Sequence, residues 1–314
     1  MKEESYQLLL SLGYTNKKAQ EIVNSSLLHS HKDETLFKNI LNVYNYLKKY
    51  YTKNEIIKMT KTLPSLYNFS TEAIKQKIKD MMSLGYTKKE VIEMTKKQPS
   101  LYSQGIENIK QKIKDMMHLG YTKEDVIKMA KNSPALYSYS IKSIKQKIED
   151  MMSLGYTKED VIRMTKQLPA LFGYSIDNIK RKINFYKSIN LENIVLEDTK
   201  LLMQSVNLSY ARYRYLKSRE IIVNSNSYSR LFYCQKVFEA NFGINNKAVK
   251  KMYPFEEYLK VQKLYKKLEI LSKLNREASK KLLNRSVKKY VDENNSIEKR
   301  INNKYSRVLK NSKV

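Results

Sequence analysis

The sequence predicts an all-α fold: a right-stacked helical-repeat solenoid of about 35-residue helix-kink-helix units. Three observations predict it. Pro64, Pro99, Pro134 and Pro169 recur every 35 residues. Gly85, Gly120 and Gly155 keep the same interval, each followed by Tyr-Thr-Lys. Between these markers apolar residues fall at helical spacing, and each proline interrupts the run. A fixed period between about 20 and 50 residues is the signature of a stacked repeat array.

Residues 86–120 serve as the type repeat. Thr87 and Glu90 have the form of a capping box, with Tyr86 and Val91 at the positions of a hydrophobic staple. Tyr51/Ile56, Tyr121/Val126 and Tyr156/Val161 repeat that pair. A first helix, A, runs with Val91, Ile92 and Met94 inward until Pro99 ends it, because proline cannot continue a helix interior. Pro99-Ser100-Leu101-Tyr102 predicts a short turn of tight helix that plugs the core. A second helix, B, carries Ile106, Ile109, Ile113, Met116 and Leu119, and Gly120 closes it in a left-handed conformation.

Eroded copies extend the pattern both ways. Leu12-Gly13-Tyr14-Thr15 precedes Tyr50-Tyr51-Thr52, where Tyr50 stands in place of glycine and predicts a different turn. Thr199-Lys-Leu201-Leu202 follows the Pro-Ala-Leu-Phe step of Pro169 at a spacing of 30 rather than 35. Phe242-Gly243-Ile244-Asn245 reads as a last Leu-Gly-Tyr-Thr. The expected organisation is an array over 4–250, clearest over 50–188, then a basic helical cap and tail over 251–314. There Tyr258, Val261, Leu264, Tyr265, Leu268 and Leu271 form a helical stripe, and Leu282-Leu283 and Val287 are the notable apolar residues beyond it.

Sixty Lys and Arg against 31 Asp and Glu give a net charge of +29. Residues 50–189 carry +12 of this and residues 246–314 carry +13. Solubility asks for a charge of only about 2–8 in a small domain, so a polyanionic partner is expected. The lysines fall in columns: Lys53, Lys88, Lys123 and Lys158 at the start of helix A, Lys61, Lys96, Lys131 and Lys166 near its end. On helix B they are Lys75, Lys110, Lys145 and Lys180, with Lys77, Lys112, Lys147 and Lys182 beside them. Packed helices lie about 8–10 Å apart, so each column predicts a ladder suited to regularly spaced phosphates. Arg163 and Arg181 add planar cations to it. Arg212, Arg214 and Arg219 among Tyr210, Tyr213 and Tyr215 form a basic-aromatic patch, another candidate contact.

Other chemistry has little material. No apolar run approaches the roughly 20 residues that span a bilayer. Glu3 and Glu4 stand where a basic secretory or organelle leader would begin. The lone Cys234 excludes a disulfide framework, fits a reducing compartment, and is expected in the core beside Leu231, Phe232 and Tyr233. His29 and His31 lack a third metal ligand nearby, and His118 replaces Ser83 and Ser153 of sister repeats. With seven glycines, three of them helix caps, no phosphate-cradling loop is available. The reading is therefore not an enzyme, with no cofactor and no metal.

Leu-Gly-Tyr-Thr-Lys-Glu-Asp-Val-Ile-x-Met, Pro-Ala-Leu-Tyr-Ser-Tyr-Ser-Ile and Ile-Lys-x-Lys-Ile, within residues 119–148, resemble the repeat of the mitochondrial transcription termination factor family. The resemblance is clear over 50–187 and looser over 4–250. It implies an all-helical superhelix whose basic groove holds double-stranded DNA, or RNA in some relatives, in transcription termination, transcript processing or ribosome assembly. The chain departs from the family pattern in showing no evident organelle presequence and in its unusually uniform repeats, so the expectation is a bacterial member, cytoplasmic and associated with the nucleoid, with an organelle role only if a presequence is absent from this form. Residues 121–132 also resemble the opening of a TAL-effector-like repeat, but Ser133-Pro134 stands where those repeats carry Gly-Gly. That likeness draws attention to the varying pairs Thr62-Leu63, Lys97-Gln98, Asn132-Ser133 and Gln167-Leu168, and to Lys58, Glu93, Lys128 and Arg163.

The expected function is nucleic-acid binding by a monomer, double-stranded DNA before RNA, in transcription regulation or termination, without a membrane. A protein-interaction scaffold is the alternative from another class. Exposed Tyr102 and Tyr137 would favour single-stranded RNA, whose bases stack on aromatics; burial of both is expected.

Overall fold

The computed structural model describes residues 2–25, 28, 32–274, 285, 288 and 289. His29, His31, Leu282, Leu283 and Val287 lie outside the described residues, as does nearly all of the expected tail. Among the described residues every regular element is helical, so the all-α helical-repeat class holds. The chain forms two compact units, 1–176 and 177–314.

In the first unit the predicted helix-kink-helix repeats appear as helices α1 (Glu3–Ser11), α2 (Asn16–Val23), α3 (Asp33–Leu47), α4 (Lys53–Thr62), α5 (Thr71–Ser83), α6 (Lys88–Lys97), α7 (Ile106–His118), α8 (Lys123–Asn132), α9 (Ile141–Met152) and α10 (Lys158–Gln167). Capping boxes start α4, α6, α8 and α10 at Thr52, Thr87, Thr122 and Thr157. Each of these helices stops before its proline, which opens a 3-10 turn: Pro64–Asn68, Pro99–Tyr102, Pro134–Ser138 and Pro169–Gly173. Leu66, Tyr67, Leu101, Tyr102, Leu136 and Tyr137 are buried in those turns, as the plug predicts. Gly13, Gly85, Gly120 and Gly155 all adopt positive φ, whereas Tyr50 does not, so its turn does differ.

What sets the register between repeats is polar. Tyr14, Tyr51, Tyr86 and Tyr121, each at the start of an A-helix cap, are buried, and the hydroxyl of each reaches into the next repeat. Tyr14 Oη lies 2.6 Å from Thr60 Oγ1 and 2.7 Å from Tyr67 Oη. Tyr51 Oη lies 2.7 Å from Thr95 Oγ1 and 2.8 Å from Tyr102 Oη. Thr60 and Thr95 donate their own protons to the carbonyls of Ile56 and Val91, so each accepts from tyrosine. Later copies keep half of the trio. Ala130 replaces the threonine, and Tyr86 bonds Tyr137 at 2.5 Å. Phe172 replaces the second tyrosine, and Tyr121 bonds Thr165 at 2.7 Å. Burial raises the pKa of Tyr121 and Tyr137 to about 12 and that of Tyr51 and Tyr86 higher still. The staple reading of these tyrosines is thus half of their role.

The second unit repeats the scheme with changes. Its helices are α11 (Ile176–Ser188), α12 (Glu192–Glu197), α13 (Val206–Ser218), α14 (Gln235–Phe242), α15 (Asn246–Met252) and α16 (Phe255–Leu274). The slip from 35 to 30 falls in α12, which has 6 residues where α10 has 10. Asp198 then takes φ −128°, ψ 80°, close to the values at Leu63 and Gln98, and Leu201 and Leu202 are buried as expected. Two caps were missed by the sequence reading. Asn190 and Glu220 hold the left-handed conformation at φ 56° and 59°; Asn190 follows Gly155 by one full period. Gly243 caps α14 at φ 67°, and Asn245 caps α15 by accepting from Ala248 N, so the eroded copy is real. Cys234 is exposed, not in the core. It occupies the N-cap of α14, and Leu231 and Phe238 fill the interior instead.

Candidate nucleic-acid interface

The lysine columns separate into three physical classes. The first is turned inward, buried at Lys77, Lys147 and Lys182 and half-buried at Lys112. Lys77, Lys112 and Lys147 project from α5, α7 and α9 onto the carbonyl oxygens of Gln104, Tyr139 and Tyr174, the last at 2.5 Å. Lys182 donates likewise to Leu202 O and is only 4% exposed. Desolvation pulls the pKa of Lys77, Lys112 and Lys182 below the ordinary lysine value. These four were expected as phosphate contacts; they are ties to the following 3-10 turn. The signal was in the sequence: Lys77 sits at the second place of the stripe Ile74, Lys77, Ile78, Met81, the inward i, i+3, i+4, i+7 pattern.

The second class is paired. Lys96 Nζ lies 3.3 Å from Glu55 and 2.7 Å from Glu93. Lys131 meets Glu90 at 2.8 Å, and Lys166 meets Asp125 at 2.8 Å. Each lysine ends an A helix, and its partner is the capping-box carboxylate of the A helix one repeat earlier. These bridges set α4, α6, α8 and α10 side by side. Lys131 holds the Glu90 carboxyl below its usual range, helped by the Thr87 N–H. At Asp125 burial acts to raise the pKa, but hydrogen bonds from Lys166 and the Thr122 N–H outweigh it and hold the carboxyl below its usual range. Lys61 has no carboxylate at the equivalent place, since Lys18 stands third in α2; Glu21, held below its usual range chiefly by its hydrogen bond from Lys18, also feels the charge of Lys61.

The third class is exposed: Lys53, Lys88, Lys123 and Lys158, with Lys58, Lys128 and Arg163. Lys88 rests on the Tyr50 ring at 4.5 Å, and Arg163 bridges Asp160 at 2.7 Å. Lys180 and Arg181 are exposed on α11.

Charge is consequently uneven between the two helix rows of the first unit. The A helices α4, α6, α8 and α10 carry net +2, +2, +1 and +1. The B helices α5, α7 and α9 carry +1 each, and in each one lysine is turned inward onto a carbonyl. The exposed B row is therefore neutral, and it presents Met82, Met117 and Met152 at 42%, 46% and 43% exposure.

The basic-aromatic patch resolves differently from its expectation. Arg212 is 1% exposed. It donates to the carbonyls of Leu231 and Tyr233 and to Asn246 Oδ1, and lies over the Phe238 ring at 4.2 Å. It organises the interior of the second unit and is closed to a ligand. Arg214 is half-buried near the rings of Tyr210 and Tyr253. Tyr102 and Tyr137 are buried, so neither offers a stacking platform.

Among the described residues no helix is long and apolar enough to cross a membrane, and no group of three or more His, Cys, Asp or Glu could hold a metal ion. The family model mTERF matches residues 3–153 and 142–239. No curated protein matches the chain.

Proposed function

The chain belongs to the mTERF family of helical-repeat proteins, and from that membership we propose that it binds double-stranded DNA along the A-helix row and acts in transcription regulation or termination. Members of the family are generally nucleic-acid-binding repeat proteins. The observation that carries the reading is the charge asymmetry. Once the carbonyl-bound lysines are set aside, the positive excess of the first unit lies on α4, α6, α8 and α10. The contacts proposed are Lys61, Lys96, Lys131, Lys166 and Arg163, with Arg181 in the second unit. Counterion release from phosphate would supply much of the affinity. Duplex is favoured over single-stranded RNA because Tyr102 and Tyr137 are interior and offer bases no stacking platform.

Fluorescence anisotropy with random duplex DNA and with RNA, titrated from low to moderate salt, tests this. Steep salt-dependent binding to duplex is expected. Absence of binding to either polymer at low salt would overturn it. One observation favours a second reading as a protein scaffold: the neutral B row with its column of exposed methionines, a residue type enriched in protein interfaces.

A further inference from the structure

Solvent exposure alone does not explain where the four best repeats differ. Several exposed positions are the same in every copy. Lys53, Lys88, Lys123 and Lys158 are one such set and Thr52, Thr87, Thr122 and Thr157 another; Met82, Met117 and Met152 recur in three copies, with Lys187 in the fourth, although an exposed methionine gains nothing from water. Other exposed positions change from copy to copy, and on the A helices they fall into one line. In α4 it is Asn54, Lys58 and Thr62; in α6 it is Lys89, Glu93 and Lys97. In α8 it becomes Glu124, Lys128 and Asn132, and in α10 Glu159, Arg163 and Gln167. Residues four apart lie on one helix face, so each A helix carries a stripe of three varying side chains. All are exposed except the half-buried Gln167. The interhelix bridges from Lys96, Lys131 and Lys166 run beside these stripes and hold them parallel.

We infer that these stripes determine sequence preference, each A helix reading a short block of base edges while the flanking lysines hold phosphates. The inference rests on the nucleic-acid reading above. Its support is chemical. The stripes hold the side chains that distinguish bases: Lys and Arg for guanine, Asn and Gln for adenine, Glu for the amino group of cytosine. They hold no aromatic or aliphatic anchor, the residues that dominate protein-binding hot spots. Helices about 8–10 Å apart match roughly three base pairs per repeat at about 3.4 Å each. The neighbouring Leu63, Gln98, Ser133 and Leu168, noted in the sequence as varying, are half-buried or buried at helix C-caps and belong to packing instead.

The test exchanges two stripes. K89E, E93K and K97N combined with E124K, K128E and N132K leave both composition and net charge unchanged. Wild type and exchange variant are each used to select sites from a randomised duplex DNA pool, with a randomised RNA pool in parallel. Both proteins are expected to bind unselected duplex within about twofold of one another. The selected sequence should change within one block of roughly six base pairs, and the exchange variant should bind the wild-type site about tenfold or more weakly. The single variant Arg163→Gln, on a different helix, should alter preference in a separate block. Identical selected sequences, or binding to duplex without any selected sequence, would overturn the inference and leave duplex binding standing. Binding to neither pool would remove the nucleic-acid reading itself.

Discussion

Lys131 Nζ stands 2.8 Å from Glu90 Oε1, joining the last turn of one A helix to the first turn of the helix before it. A cation proposed to meet phosphate is thus already engaged by a carboxylate. Glu90→Gln keeps the capping-box geometry, because glutamine can accept that position, and releases the lysine. Binding to unselected duplex should tighten up to about fivefold at low salt, the scale of an exposed ion pair. Lys131→Gln should weaken it for all sequences alike. Anisotropy on both variants decides; no change in either would place the ladder outside the interface.

Replacing Lys96, Lys131 and Lys166 together with Gln should flatten the salt dependence by fewer than about three phosphate contacts' worth. Each lysine displaces a carboxylate as it meets phosphate, which offsets part of the counterion release. A drop of the full three would mean that the bridges are absent in solution.

Lys112→Met should destabilise the fold by about 1–2 kcal/mol, since it leaves the part-buried Tyr139 carbonyl without its donor. Lys110→Gln, one turn face away and exposed, should change stability by less than about 0.5 kcal/mol. Urea unfolding compares the two. Equal effects would return the Lys112 column to the surface.

Ala130→Thr should stabilise by about 0.5–1 kcal/mol by restoring the hydroxyl that Tyr51 and Tyr121 find in their neighbours but Tyr86 lacks. Tyr51→Phe should cost about 1–2 kcal/mol, and its effect should be non-additive with Tyr102→Phe because the two share one hydrogen bond. Thermal or urea unfolding of the single and double variants measures both.

The buried hydroxyls also fix a pH dependence. Their pKa values are raised in the fold, to about 12 at Tyr121 and Tyr137, so the folded chain holds protons that the unfolded chain releases near pH 10. Their stabilisation is complete below about pH 10 and is lost as pH rises through the folded values. Lys77, Lys112 and Lys182, with depressed pKa values, oppose this in part. In an alkaline titration, tyrosinate absorbance from the interior should appear together with loss of helical circular dichroism. Full ionisation near pH 10 in a helical chain would contradict the buried network.

Much of this architecture is legible in the sequence because it is local. Proline after an A helix, threonine with a carboxylate three places on, and glycine at the end of a B helix each act within a few residues, and all three lie where predicted. The lysine columns were less legible for a geometric reason. Lys75 and Lys77 look alike as letters, but one faces water and the other faces a carbonyl 27 residues ahead. The Lys131–Glu90 bridge crosses a whole repeat and depends on how neighbouring helices settle, which no local pattern encodes. Asn190 was overlooked because asparagine tolerates the left-handed conformation without announcing it as glycine does. Cys234 departs from its expectation because it is the N-cap of α14, exposed although Leu231 is buried and Phe232 and Tyr233 are half-buried just before it.

The tyrosine ties have a consequence for how such a chain can change its length. Tyr51 needs only the Thr95 and Tyr102 of the copy that follows it, and Tyr14 only Thr60 and Tyr67. A tandem duplication of residues 86–120 would therefore present Tyr86 of the original copy with a fresh threonine and tyrosine, a more complete partner than Ala130 and Tyr137. Loss of the same segment would rejoin Tyr51 to Ala130 and Tyr137, the pairing Tyr86 already accepts. Gene-level slippage by one unit thus keeps every tyrosine tie supplied with a partner in either direction, so repeat number can change without redesigning that junction.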